Sequence, residues 1–169
     1  MPHAIYTASI PVFTQMLGGL QTVLRKAEAH AAEKKIDPNA LLQARLIPDM
    51  FPLLRQVQVA CDFAKSVSAR LAGVEVPKMD DNEQTFADLQ TRISTVLAFL
   101  ASLTDAQFAE AATREIITQA GTPKEKRFTG QSYLFNYGLP HFFFHTTTAY
   151  AILRHNGVEV GKKDYVGTY

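Results

Sequence analysis

The 169-residue chain predicts an all-α protein, an antiparallel four-helix bundle, on three observations. Four segments are long enough for bundle helices, three carry one clear apolar stripe at helical spacing, and the connections between them hold the prolines and glycines. At this length one domain spanning residues 1–169 buries about 70% of its unfolded surface without a disulfide or cofactor. No internal repeat or linker divides the chain.

The first helix begins at Ser9, a suitable N-cap residue, with Pro11 in the first turn. Val12, Phe13, Met16, Leu17, Leu20, Val23, Leu24 and Ala27 form its stripe, and it frays at Lys34-Lys35 before the Asp37-Pro38 turn. Gly18-Gly19 lowers helix propensity mid-helix, which points to a close helix approach or a bend. The second helix spans Phe51 to Leu71, entered through a turn fixed by Pro48 and Pro52 and stopped at Gly73. Leu53, Leu54, Val57, Cys61, Ala64, Val67 and Leu71 share its apolar face.

A polar loop follows from Val74 to Asp81. A capping box of Asp80 or Asp81 with Glu83 or Gln84 then opens the third helix, whose core stripe is Phe86, Leu89, Ile93, Val96, Leu97 and Leu100, with Arg92 facing out. Beyond Leu103 a short helix is expected over Ala106 to Ala112. A hairpin is expected between Glu115–Gln119 and Lys126–Phe128, turning at Gly121-Thr-Pro123. The fourth helix runs from Tyr133 to Leu153, kinked or restarted at Gly138 and Pro140. Phe142, Phe143 and Phe144 make it apolar around most of its circumference, so it is either central or shared with a second subunit, and a homodimer is expected.

Composition removes several function classes. With 17 basic and 16 acidic side chains the formal charge is +1, which gives no field for nucleic acid or an anionic membrane. No apolar run approaches the ~18 residues of a bilayer span. The single cysteine, Cys61, rules out an internal disulfide and fits a cytoplasmic setting. Its place on an aliphatic row reads as a buried thiol, not a nucleophile.

The chemistry concentrates on Leu139-Pro-His-Phe-Phe-Phe-His145. His141 and His145 are four apart, so on a helix they share a face. On the row Leu134, Gly138, His141, His145, Ala149, Ile152 both are expected to point inward. Two readings stand. The imidazoles hold a divalent metal such as Zn, Ni or Fe, or each hydrogen-bonds a polar group in the core. Phe142 occupies the position where a helical zinc hydrolase carries its glutamate base, so that motif is absent. Gln56, on the row Leu53, Gln56, Ala60, Phe63, Val67, is the best-placed third donor, although glutamine is a poor ligand for a transition metal. Gln58, Asp62 and Lys65 read as a solvated face. Arg45 and Asp49 bracket the proline turn and could mark a pocket mouth, to which Tyr6, Tyr133, Tyr137 and Tyr150 could add phenolic donors.

Five stretches together look familiar: Ala44-Arg-Leu-Ile-Pro-Asp-Met-Phe51, Gln56-Val-Gln58, Arg70-Leu-Ala-Gly73, Phe144-His-Thr-Thr-Thr-Ala-Tyr-Ala-Ile-Leu-Arg154 and Gly161-Lys162. Nearly the whole chain resembles the DinB/YfiT-like four-helix-bundle superfamily, in a branch described only as a domain of unknown function. The resemblance implies one histidine on the second helix and two on the fourth around a divalent metal, with thiol-linked group transfer in some members. Here the fourth-helix pair matches, and Gln56 stands about where the second-helix histidine would. The expected function is therefore a metal-free or weakly metal-binding protein that works by binding a small molecule or by assembly. The alternative is a divalent-metal enzyme, such as a thiol-linked transferase, using His141 and His145.

Overall fold

The computed structural model describes residues 3–169 and is mostly helical. Four long helices make its body: α2 (Ile10–Lys34), α4 (Leu53–Ala72), α5 (Phe86–Ser102) and α7 (Leu139–His155). Short helices α1 (Ala4–Thr7), α3 (Pro38–Leu42), α6 (Gly130–Tyr133) and α8 (Lys162–Val166) join or flank them. Each of α2 and α4 packs against both α5 and α7, so the stripes foreseen in the sequence close around one core. Phe13, Leu17 and Leu24 of α2, Leu53 and Leu71 of α4, Leu89 and Ile93 of α5, and Phe142 of α7 are sealed inside it.

The Gly-Gly pair of α2 serves a close approach. A side chain at Gly19 would collide with the backbone carbonyl of Tyr165, where α8 lies across the helix, whereas Gly18 meets nothing. The expected hairpin forms as two antiparallel strands, β1 (Glu115–Thr118) and β2 (Lys126–Thr129), with Glu115 opposite Thr129 and Thr118 opposite Lys126. The short helix expected over Ala106 to Ala112 is one 3-10 turn, Asp105–Phe108.

The cap of α5 differs from expectation. Thr85 is the N-cap residue and forms the capping box with Asp88, while Asp81 and Glu83 turn their carboxylates to Arg92 instead. Between α6 and α7 the chain stays helical but passes through a π turn, Leu134–Gly138. Pro140 offers no N–H to the carbonyl four residues back, so ordinary helical bonding fails there. Gly138 lets that turn close on α4: an added Cβ would lie 2.9 Å from a methyl of Val67.

Candidate functional site

The two imidazoles lie at the junction of α4, the π turn and α7, and they are not equivalent. His145 is buried, and its Nδ1 lies 2.7 Å from Oε1 of Gln56, itself 1% exposed. The Gln56 amide is fixed at its other end, because Nε2 donates to the Phe51 carbonyl at 3.1 Å. The amide oxygen can only accept, so His145 carries its proton on Nδ1 and presents an unprotonated Nε2. Burial, then the neighbouring His141 and Arg55, push the pKa of His145 down to about 4. It is neutral at physiological pH.

His141 corrects the expectation of an inward pair: it is exposed. The buried row of the helix is Leu134, Gly138, Phe142, His145, Ala149 and Ile152, so Phe142, not His141, fills the inward place. The His141 ring stacks on Phe63 at 4.8 Å with an 8° tilt and meets Tyr137 at 4.5 Å. Its pKa is lowered by partial burial and then by Lys126. Phe63 also stacks on His145, at 5.9 Å and 17°, so one apolar ring covers both imidazoles where a shared ion would need polar donors.

The donor set does not suit a three-ligand divalent metal centre. Among the described residues no group of three His, Cys, Asp or Glu side chains converges. Gln56 does reach His145, as the sequence rows suggested, but both ends of its amide are already engaged within the protein.

Arg45 and Asp49 do not come together. Both are exposed, and Arg45 donates to the carbonyls of Pro48 and Met50, pinning the proline turn. Tyr150 lies with the C-terminal segment, its hydroxyl 3.4 Å from the Val160 carbonyl and its ring against Tyr165. Cys61 is buried, and burial foremost pushes its thiol up to about 12, which leaves it unreactive.

The sequence reading missed a charged knot on another face of α4. Arg92, taken as outward, is 2% exposed, and Gln58 and Lys65, taken as solvated, are 3% and 6% exposed. Arg92 binds Asp62 at 2.8 Å, Asp81 at 3.0 Å and Glu83 at 2.8 Å, while Gln58 donates to Glu83 at 2.7 Å and Arg55 pairs with Asp81. Three acids within 30 residues of one arginine could have hinted at it. Only the folding of residues 74–85 across α4 and α5 joins them.

A partly open cleft of about 190 Å³ adjoins the imidazoles and shares Phe63 and Tyr137 with them. α4 supplies Asp62, Ser66 and Arg70, and the end of β1 supplies Thr118 and Gln119. Tyr133 closes the base, its hydroxyl 3.1 Å from the Arg70 guanidinium. Nothing in the helical periodicity could have brought Thr118 and Gln119 to this place.

Helical architecture and an imidazole pair at the α4–α7 seam place the molecule among DinB-like helical proteins. A crystal structure of a DinB family member protein from Shewanella denitrificans superposes with a TM-score of 0.91, at 48% identity, over 97% of this chain and 92% of that one. A family model described as a domain of unknown function, DUF1993, matches residues 5–166, and the chain belongs to that family. No curated protein matches it. Among the described residues, no helix is long and apolar enough to cross a membrane.

Proposed function

We propose that the protein binds a small organic molecule, without a resident metal, at the face where α4, the π turn and α7 meet. The observation that carries this reading is the 2.7 Å contact between Gln56 Oε1 and His145 Nδ1, with the glutamine locked from behind by Phe51. An imidazole held in one tautomer, beside a second imidazole and the rings of Phe63 and Tyr137, is equipped to recognise a planar ligand through stacking and one accepted hydrogen bond. The four long helices run alternately up and down in this reading, which puts the site at a helix seam, a common place for ligands in bundles.

Metal analysis of tag-free protein, paired with melting before and after chelation, is the test. Substoichiometric metal and an unchanged melting temperature are expected, since nothing selective for the folded state would be removed. One equivalent of Zn, Ni or Fe in the wild type, lost in His145→Ala, would overturn the reading in favour of a divalent-metal enzyme. A homodimer belongs to the same proposal: Phe144, 55% exposed, and Phe51, 52% exposed, offer apolar surface to a second copy, and a monomeric sedimentation profile at micromolar concentration would refute it. The lone, buried Cys61 supports a cytoplasmic setting.

A further inference from the structure

The cleft beside the imidazoles contains a cation with spare capacity. Arg70 is half-buried, and it bonds the Tyr133 hydroxyl at 3.1 Å and the Ser66 carbonyl at 3.5 Å, both through one terminal nitrogen. Among the described residues no carboxylate pairs with it. A guanidinium brought into a cleft with its other nitrogens free of protein partners is a ready partner for a carboxylate, which it can grip with two parallel hydrogen bonds.

Asp62 lines the same cleft but does not cancel this charge. It lies eight residues from Arg70, about 12 Å along the helix, and is already bound by Arg92 at 2.8 Å and Lys65 at 3.2 Å. Lys126 adds a second positive charge nearby, 5.7 Å from the centre of the Tyr137 ring. The walls between these charges are the rings of Phe63, Tyr133 and Tyr137. The hydroxyl-bearing Ser66 and Thr118 also border the space, with Gln119 at its lip in the left-handed backbone region, φ 52°. At about 190 Å³ the space falls below the roughly 300 Å³ at which drug-sized sites begin, so a single ring suits it and a nucleotide does not.

We propose that this cleft takes a small aromatic carboxylate, its acid group on Arg70 and its ring against Tyr137 and Phe63. The proposal rests on the small-molecule reading above and names a ligand class for the cleft that adjoins the imidazoles. Lining residues from the hairpin and from α4 would then meet on one ligand, with the ring edge directed toward His141.

The test uses benzoate as the probe and benzamide as its neutral counterpart, titrated into the full chain and followed by amide chemical shifts. Benzoate should shift the amides of Ser66, Arg70, Gln119 and Tyr137 saturably, and benzamide should bind about tenfold or more weakly, as expected when a charge-assisted contact is lost. Arg70→Gln should abolish the preference for benzoate. Should that variant fail to fold, the benzoate-to-benzamide ratio in the wild-type protein decides alone. Equal binding of the two probes, benzoate shifts confined to other surfaces, or full benzoate affinity in a folded Arg70→Gln protein would each overturn the carboxylate assignment. Equal binding in the cleft would still support the small-molecule reading, whose own failure is registered separately by stoichiometric metal.

Discussion

Two regions of α4 carry polar side chains into the protein, and they use them in opposite ways. Around Arg92 the charges are matched against one another: a guanidinium, three carboxylates and the Gln58 amide tie residues 80–83 to α4 and α5. Around His145 the side chains in contact with it, Gln56, Phe63 and Phe144, are uncharged, with one imidazole nitrogen bound to Gln56 and the other without a protein partner. The first arrangement holds a loop without secondary structure in place. The second leaves an imidazole nitrogen unspent in an aromatic cluster that adjoins a cleft through Phe63 and Tyr137. Burial of polar groups alone therefore does not mark a functional site, and neither does a single unpartnered atom, since Arg92 Nε is buried without a partner as well; the neutral, aromatic surroundings of the imidazoles are what set their region apart.

The difference should be visible first in stability. Replacing Arg92 with Met strands Glu83, whose side chain is only 8% exposed, and should cost about 3 kcal/mol in urea denaturation, as removal of one member of a buried ionic cluster does. A loss below about 1 kcal/mol would mean that the knot is ornamental and the contrast false.

Acid should separate the two regions. The unfolded chain protonates His145 near the ordinary 6.5 and the folded chain near 4, so between those values the unfolded state holds the extra proton. The stabilisation from a neutral His145 is complete above pH 6.5 and is lost as pH falls toward 4, a change of about 2 kcal/mol after allowing for solvent that still reaches the ring. Glu83 behaves differently: burial would raise its pKa, but hydrogen bonds from Arg92 and Gln58 outweigh burial and hold it below 4.5. Asp81 is held below 3.8 in the same way, against its own burial, chiefly by Arg55. Their contribution persists above those values and disappears only in stronger acid. A His145→Leu protein should therefore lose most of the slope between pH 6.5 and 4, the remainder belonging to His141, and keep the later one; an unchanged slope would break the assignment.

Smaller effects sharpen the picture inside the imidazole region. Gln56→Ala leaves a buried N–H of His145 without its acceptor and should cost about 1–2 kcal/mol in thermal or urea melting. His141→Ala gives up stacking on Phe63 at an exposed position and should cost about 0.5 kcal/mol by the same measurement. Equal costs for the two would mean that the imidazoles share one environment after all.

Much of the fold was legible because three apolar stripes at helical spacing and a fourth helix apolar on most sides dictate which faces meet. The hairpin was legible because Gly121 and Pro123 interrupt a pattern of short extended runs. Gln56 was found by the same row counting, and it does meet His145. The rows failed where the helix departs from α geometry. The π turn at Leu134–Gly138 alters the phase entering α7, and the buried series passes through Phe142 instead of His141. Arg92, Gln58 and Lys65 were misplaced for another reason: helical periodicity assigns polar residues to water and cannot see a loop folding back over them. Arg70 went unnoticed as a binding group because its cleft is completed by Thr118 and Gln119, some 50 residues away in the chain.

The central claim, that His145 is a neutral, Gln56-anchored imidazole serving a metal-independent site, is tested most directly by nitrogen-15 NMR of the histidine side chains in tag-free protein. The expected spectrum shows His145 protonated at Nδ1, titrating near pH 4, and unmoved by one equivalent of zinc or nickel. A proton on Nε2, a pKa near 6.5, or a stoichiometric shift of the His145 and His141 nitrogens on adding metal would contradict it.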